Sequence, residues 1–420
     1  MNPTILLDHD LPGPDGKLVL RALLRVEGQA PEDASRIPLN LSIVLDRSGS
    51  MEGAKLQAAR EAAALLVRRL RPEDLVSVVA YDDQVVVVAE PGTGDAQKDL
   101  PRTLQAIGAG GSTNLSGGWL RGRELVARNR VAEGVSRVLL LTDGLANVGI
   151  TDPDALAGLC LEAARKGVST TTVGFGEGFD ERLLRAMADA GGGSTYYIER
   201  VDQATGIFEE ELEGLLSLTA QNVSVEVRVA DAVELAAVHH SYPRSSLDGG
   251  LRLEMGDLYA REPRVLLLEL ALRGPLGEET VDVARLALSG DVLLPGGGVE
   301  RREIDLPIRL SAADGPRVEP VVRRELLLQE AARAREEALE RQGQGDYGGA
   351  ADALRRASSK LREAGIEDAE VAEEASDLEA MSLRVGEGVM ADADAKYLFQ
   401  RAYDVRRSKL EARERYRRGR

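Results

Sequence analysis

Residues 17–27 (KLVLRALLRVE) alternate: Leu18, Leu20, Ala22, Leu24 and Val26 face one way, and Lys17, Arg21, Arg25 and Glu27 the other. Period two with one wet face predicts an outer strand of an antiparallel sheet. From residue 39 the pattern changes. Short apolar runs at 39–45, 75–81, 84–89, 136–142, 168–174 and 194–199 predict strands. Between and after them, 54–70, 99–107, 118–130, 153–166, 180–190 and 202–219 carry helical spacing; in the first, Leu56, Ala59, Ala63, Leu66 and Leu70 share a face. Strand and helix alternating through short links predict an α/β unit, a doubly wound, mostly parallel sheet covered on both faces. After residue 220 the two-residue period returns, with Val223, Val225, Val227 and Val229 on one side and further strands predicted at 251–255, 264–272, 280–288 and 302–310. The two alternating flanks share one pattern, which predicts a single antiparallel β-sandwich with the α/β unit inserted between its strands. From Val318 the chain is rich in Ala, Leu, Arg and Glu, and helices are predicted at 320–341, 346–363, 367–384 and 392–418. The domains expected are therefore 37–219 (α/β), 1–36 plus 220–317 (β-sandwich) and 318–420 (helical).

Composition narrows the function classes. The 420 residues are 43% apolar but only 3% aromatic, so the cores must be aliphatic. There are 53 basic against 70 acidic residues, a net charge of −17. Such a chain is a poor binder of nucleic acid or anionic membrane, which need clustered Lys and Arg. The single cysteine, Cys160, excludes an intramolecular disulfide and a cysteine-rich zinc site. Of the three histidines, His239 and His240 are adjacent and in a strand would point to opposite faces, which argues against a shared ligand role. No stretch reaches the roughly 18 apolar residues of a membrane span, and the amino terminus lacks the basic region of a secretory signal. A cytoplasmic location is expected. Gly345, Asp346, Tyr347, Ala350, Leu354 and Ala357 are similar to half of a tetratricopeptide repeat, but the pattern occurs once, and a helical hairpin packed on the sandwich is the simpler reading.

The candidate chemistry lies in three loops. Leu45-Asp46-Arg47-Ser48-Gly49-Ser50-Met51 follows a buried strand and precedes a helix. In open α/β sheets, ligands sit beyond the carboxyl ends of the strands, so this loop presents three oxygen donors at the functional edge. Gly110-Gly111-Ser112-Thr113-Asn114 and Leu141-Thr142-Asp143-Gly144 should meet it there. Asp46, Ser48, Ser50, Thr113 and Asp143 then form an all-oxygen set of two carboxylates and three hydroxyls, suited to a hard divalent cation such as Mg²⁺. The two serines and one or two others should bind directly, the rest through water. Two carboxylates bring the ion near neutrality and leave it electron-poor, so an open position would attract an Asp or Glu carboxylate from another protein. Asp46 or Ser48 could instead simply cap the following helix. Asn114 and Ser112 are expected to shape their loop, Asp82 and Asp83 to serve a tight turn, and Cys160 and Trp119 to lie in the core; Asn147 lies near the metal edge, where it could line a partner surface.

D-x-S-x-S after the first strand, a G-G-S-T-N loop and T-D-G after a later strand, in this order over about 37–219, resemble the von Willebrand factor A domain. The five matching residues are those of that family's metal-ion-dependent adhesion site. The resemblance implies a Rossmann-like sheet holding Mg²⁺ (or Mn²⁺ or Ca²⁺) at its upper edge and binding proteins through an acidic residue. The flanking strands and helical tail are similar to bacterial members near the inter-α-trypsin-inhibitor heavy chain and calcium-activated chloride channel-like groups. Family analogy adds an ATPase as a further partner class. It also implies that the last helix, 202–219, shifts on binding in some members. The expected function is thus non-catalytic, metal-dependent protein binding. Two alternatives are a scaffold that recruits through its C-terminal helices, with an incidental metal site, and a Mg²⁺-dependent phosphatase-like hydrolase. The latter needs an Asp two residues after Asp46, where Ser48 stands, and the phosphate-loop and hydrolase motifs are missing from the sequence.

Overall fold

The computed structural model describes residues 1–10, 17–29, 37–129, 134–176, 178–198, 200, 203–260, 262–273, 280–294, 298–311, 315–386, 390 and 392–408. A six-stranded sheet has the spatial order β5-β4-β3-β6-β7-β8. Its strands are β3 (Leu39–Asp46), β4 (Leu75–Tyr81), β5 (Val85–Gly92), β6 (Val135–Thr142), β7 (Val168–Phe175) and β8 (Gly192–Ile198). All neighbours are parallel except β5, which returns antiparallel to β4. Every residue of β3, β6 and β7 is buried, as expected where both faces are covered. On one face Leu41, Ile43 and Leu45 meet α1 (Ala54–Arg69), α3 (Leu100–Gln105, after the short α2, Asp95–Lys98) and α7 (Ala204–Leu216). On the other, Val44, Val79, Val138 and Leu140 meet α4 (Leu115–Arg128), α5 (Pro153–Arg165) and α6 (Glu181–Ala190). Trp119 and Cys160 lie in this second core, fully buried, with the Trp119 indole donating to Thr170 Oγ1 at 3.1 Å.

The flanking segments form two antiparallel sheets. One has the order β1-β2-β13-β10 and the other β11-β12-β9-β14-β15. The strands are β1 (Asn2–His9), β2 (Lys17–Glu27), β9 (Leu218–Val229), β10 (Val233–Val238), β11 (Arg244–Leu247), β12 (Gly250–Tyr259), β13 (Arg264–Arg273), β14 (Val281–Leu293) and β15 (Val299–Leu310). Leu18, Leu20, Leu24 and Val26 of β2 share one core with Val223, Val225, Val227, Leu286 and Leu288. Leu20 pairs with Leu270 across the insertion, so the two flanks form one unit and the α/β domain interrupts it between β2 and β9.

Several elements depart from the sequence reading. β1 carries Pro3 and only a short apolar run, yet all eight of its residues pair with β2 at the sheet edge, where proline is tolerated. β10 and β11 are short flanking strands of the same kind. The last helix of the insertion ends at Leu216 rather than near residue 219, because Ala220 is taken up by pairing with both Leu258 and Val292. The polar face of β2 is also not fully wet: it includes Leu23, which is buried with Val265 and Leu267 beneath Val322.

Val322 belongs to α8 (Pro320–Gly343), which is followed by α9 (Tyr347–Glu363), α10 (Ala369–Gly386) and α11 (Asp392–Arg406). The α8–α9 turn is closed by Asp346, which accepts from the Gly349 amide at 2.8 Å. The predicted helix beyond residue 408 lies outside the described residues. These helices bury a core of their own, and buried Arg335 of α8 pairs with Glu374 and Asp377 of α10. Lys396 of α11 reaches the α/β domain, where it pairs with Glu181 at 2.9 Å. Among the described residues no helix is long and apolar enough to cross a membrane.

His239 and His240 follow β10 and do not converge on one ligand. The His240 Nδ1 accepts from the Leu267 amide at 3.1 Å and its Nε2 faces Glu325 at 3.2 Å. His239 is buried, with Glu269 3.6 Å from Nε2 and no hydrogen bond to either ring nitrogen among the described residues. Burial, aided by the charge of Arg333, lowers its pKa to about 4. A histidine depressed in the folded state costs stability once the unfolded chain begins to take up its proton, so the loss accrues as pH falls from about 6.5 towards 4. Urea midpoints measured at pH 7 and pH 5 should differ for the wild type and differ less for His239→Gln. Equal pH sensitivity in the two proteins would contradict this account.

Candidate metal centre

Register brings the two carboxylates together. Leu45 of β3 lies beside Leu141 of β6, so the loops leaving these adjacent parallel strands carry Asp46 and Asp143 out at the same edge. Asp46, Ser48, Thr113 and Asp143 are buried, while Ser50 is exposed. The Ser48 and Ser50 hydroxyls are 3.2 Å apart, and Ser50 donates to Asp143 Oδ1 at 2.7 Å. Thr113 arrives from the glycine-rich loop: a Cβ on Gly144 would stand 3.2 Å from its Oγ1 and 3.7 Å from Ser50 Oγ. All five sequence-selected residues therefore meet at one sheet edge.

A lattice of backbone bonds holds the loops in this arrangement. The Gly49 amide donates to Gly111 O at 3.0 Å, Gly110 to Arg47 O at 2.7 Å, and Asn147 and Val148 both to Thr113 O. Asn114 caps α4 by accepting from Gly117 at 3.0 Å, and Ser116 accepts from the Ile150 amide at 2.8 Å. Asn114 therefore shapes its loop, as its side-chain chemistry suggests.

Two residues matter more than the sequence reading allowed. Asp82 accepts from the Gln84 amide at 2.8 Å, the turn role expected of it. It also accepts from the Gly111 amide and pairs with Arg47 at 2.8 Å, so it ties two of the three loops together. Gly110 is needed here, because a Cβ would fall 2.0 Å from Asp82 Oδ2. The second residue is Thr142, whose hydroxyl donates to Asp46 Oδ2 at 2.5 Å while the Ser48 amide donates to Oδ1 at 2.8 Å. Both were visible in the sequence, as the residue after a strand and as the first letter of T-D-G. What was not visible is that their side chains turn towards the site.

Electrostatically, the two carboxylates Asp46 and Asp143 face one ammonium, that of Lys55, 2.5 Å from Asp143. Burial raises the Asp46 pKa, against the hydrogen bonds from Thr142 and Ser48, and the charge of Asp143 raises it further. A buried carboxylate beside a second one is stabilised by a cation. The hydroxyl and carboxylate donors suit a hard divalent ion. Among the described residues no group of three or more His, Cys, Asp or Glu side chains gathers, because this set relies on only two carboxylates. Around it the loop after β6 exposes Leu145, Asn147, Val148 and Ile150.

The inserted sheet with these three loops is a von Willebrand factor type A domain, whose family profile matches residues 40–210. Domains of this type are generally non-catalytic interaction modules. Beyond that matched segment the chain is similar, at low identity, to inter-α-trypsin inhibitor heavy chains. It is 30% identical over 258 residues to the uncharacterized protein sll0103 of Synechocystis sp., a match covering 59% of this chain and 61% of the other. It is 28% identical over 272 residues to human inter-alpha-trypsin inhibitor heavy chain H4, covering 62% of this chain and 27% of that one. The chain thus spans less than two thirds of these curated relatives. A solved von Willebrand factor type A protein from Catenulispora acidiphila superposes with a TM-score of 0.72 at 19% identity, over 94% of this chain and 95% of that one. That likeness is one of fold, and it extends through the sandwich and the helices.

Proposed function

We propose that this chain is a divalent-metal-dependent protein-binding module whose ion is held by Asp46, Ser48, Ser50, Thr113 and Asp143 and accepts an Asp or Glu carboxylate from the partner. The observation that carries the reading is the convergence of two buried carboxylates and three hydroxyls at the carboxyl edge of the sheet. Mg²⁺, Mn²⁺ or Ca²⁺ would supply an electrophilic position there. The chain's own residues do the rest. Asp46, pinned by Thr142 and the Ser48 amide, fixes the floor. The Asp82–Arg47 pair sets the spacing of the first and second loops. Exposed Leu145, Val148 and Ile150 provide an apolar rim beside a charged centre.

A hydrolase reading fits less well, because both Asp46 oxygens already accept hydrogen bonds that hold the carboxylate inward. A scaffold acting through the C-terminal helices is the second reading; among the described residues α8–α11 bury a core of their own and α8 packs on β2. Affinity capture from lysate of the source cell separates the readings. Partners should be retained in Mg²⁺ and released by EDTA, and Ser48→Ala should retain none. Capture that survives both treatments would favour the scaffold.

A further inference from the structure

The centre already contains a cation of its own. Lys55 is the second residue of α1, and its Nζ donates to Asp143 Oδ2 at 2.5 Å. Asp143 is thereby held on both sides, by the Ser50 hydroxyl on Oδ1 and by an ammonium on Oδ2. Local helix chemistry does not explain this placement. A lysine in the first turn opposes the helix dipole, which favours acidic residues there, and the first turn of α1 has none. The surroundings make room for it. Gly176 has φ +69, and a Cβ there would stand 3.1 Å from Lys55 Cε and 3.4 Å from Nζ. The cation nearest in sequence to the motif, Arg47, is engaged by Asp82.

We infer that Lys55 is a tethered counter-cation that competes with the divalent ion for Asp143 and so sets the affinity of the centre. This rests on the metal reading above. With Lys55 in place, the two carboxylates offer an incoming ion one net negative charge instead of two. The ion must displace the ammonium or share the carboxylate with it, and either weakens binding. The tether is short and the lysine side chain is one-third exposed, so displacement needs only a rotation into solvent. Once displaced, the ammonium stays at the rim, where it adds positive charge on the side from which an acidic partner approaches. Lys55 is a positioning residue in this scheme and need not touch the ion.

The test is calorimetric titration of the full chain with Mn²⁺ alone, comparing wild type, Lys55→Met, Lys55→Gln and Lys55→Arg. Both neutral variants should bind Mn²⁺ about tenfold more tightly, the scale a unit charge a few ångströms away exerts in a partly wet site. Lys55→Arg should stay near wild type. Thermal melts add a readout that a merely structural lysine would not give. The neutral variants should melt lower than wild type without metal, and the gap should close or reverse in saturating Mn²⁺. If wild type binds Mn²⁺ and the neutral variants bind it equally or more weakly, the role given to Lys55 is overturned and the metal centre stands. If neither wild type nor the variants bind Mn²⁺, both are overturned.

Discussion

Asp143→Ala is expected to lower divalent-ion affinity by about a hundredfold or more and to remove the thermal stabilisation that Mg²⁺ gives the wild type. The reason lies in the two buried carboxylates. Asp46 is fully buried and its pKa is raised by that burial, with the charge of Asp143 adding to it. A carboxyl whose folded pKa is raised is at its most favourable when protonated, so its contribution to stability is lost as pH rises through that value, and above it ionised Asp46 costs the fold. A bound dication offsets that cost. An ion present at about a hundred times its dissociation constant contributes roughly 2.7 kcal/mol, which in a chain of this size raises the melting temperature by several degrees. Differential scanning calorimetry with and without 10 mM Mg²⁺, that concentration being taken as roughly saturating, measures the effect directly. A melting temperature that ignores Mg²⁺ in the wild type, or responds equally in Asp143→Ala, would show that the oxygens gather for some other reason.

Arg137→Met is expected to destabilise the whole protein by about 3–5 kcal/mol, the usual cost of removing one partner from a buried charge cluster. Arg137 sits on β6 with no exposed surface. It pairs with Glu211 of α7 at 2.7 Å and with Asp257 of β12, and it donates to Tyr259 Oη at 3.3 Å and Ser169 Oγ at 3.0 Å. One guanidinium therefore joins the α/β sheet, the last helix of the insertion and the sandwich. Without it, Glu211 and Asp257 stay buried with the balancing guanidinium charge removed. The triple change Arg137→Met, Glu211→Gln, Asp257→Asn should recover much of the loss, because it removes the stranded charges as well. Urea unfolding monitored by circular dichroism reads both. A loss below about 1 kcal/mol in the single variant would mean that the cluster is not what couples the two units. The same cluster anchors the helix whose counterpart shifts on binding in some von Willebrand factor A domains, since Glu211 also accepts from Tyr196 and Thr171. Movement of α7 would have to break these bonds.

Much of this architecture was legible in one dimension, because burial leaves a period. β3, β6 and β7 are buried at every position and read as continuous apolar or Thr-rich runs. β2 and β9 share a half-buried face and read as strict alternation, which is why two segments far apart in sequence could be assigned to one sandwich. The oxygen set was legible for a related reason. In a doubly wound sheet the loops at one end of the strands must converge, so three polar loops after strands name a common place before any distance is known.

Local pattern carried no record of the long-range partners. β1 has too few apolar residues to announce itself and exists because β2 offers it an eight-residue edge. Asp82 looked like a turn residue and is also a tie between loops, because its carboxylate happens to face Gly111 and Arg47. Arg137 in the midst of VSRVLLLT gave no hint of its role, since its partners lie 74 and 120 residues away. Lys55 reads as one more helix lysine until Asp143 is placed 2.5 Å from it. Hydrophobic burial is repeated along the chain and so can be read from it. A charge interaction depends on a single meeting in space, and only packing the elements together settles where that meeting falls.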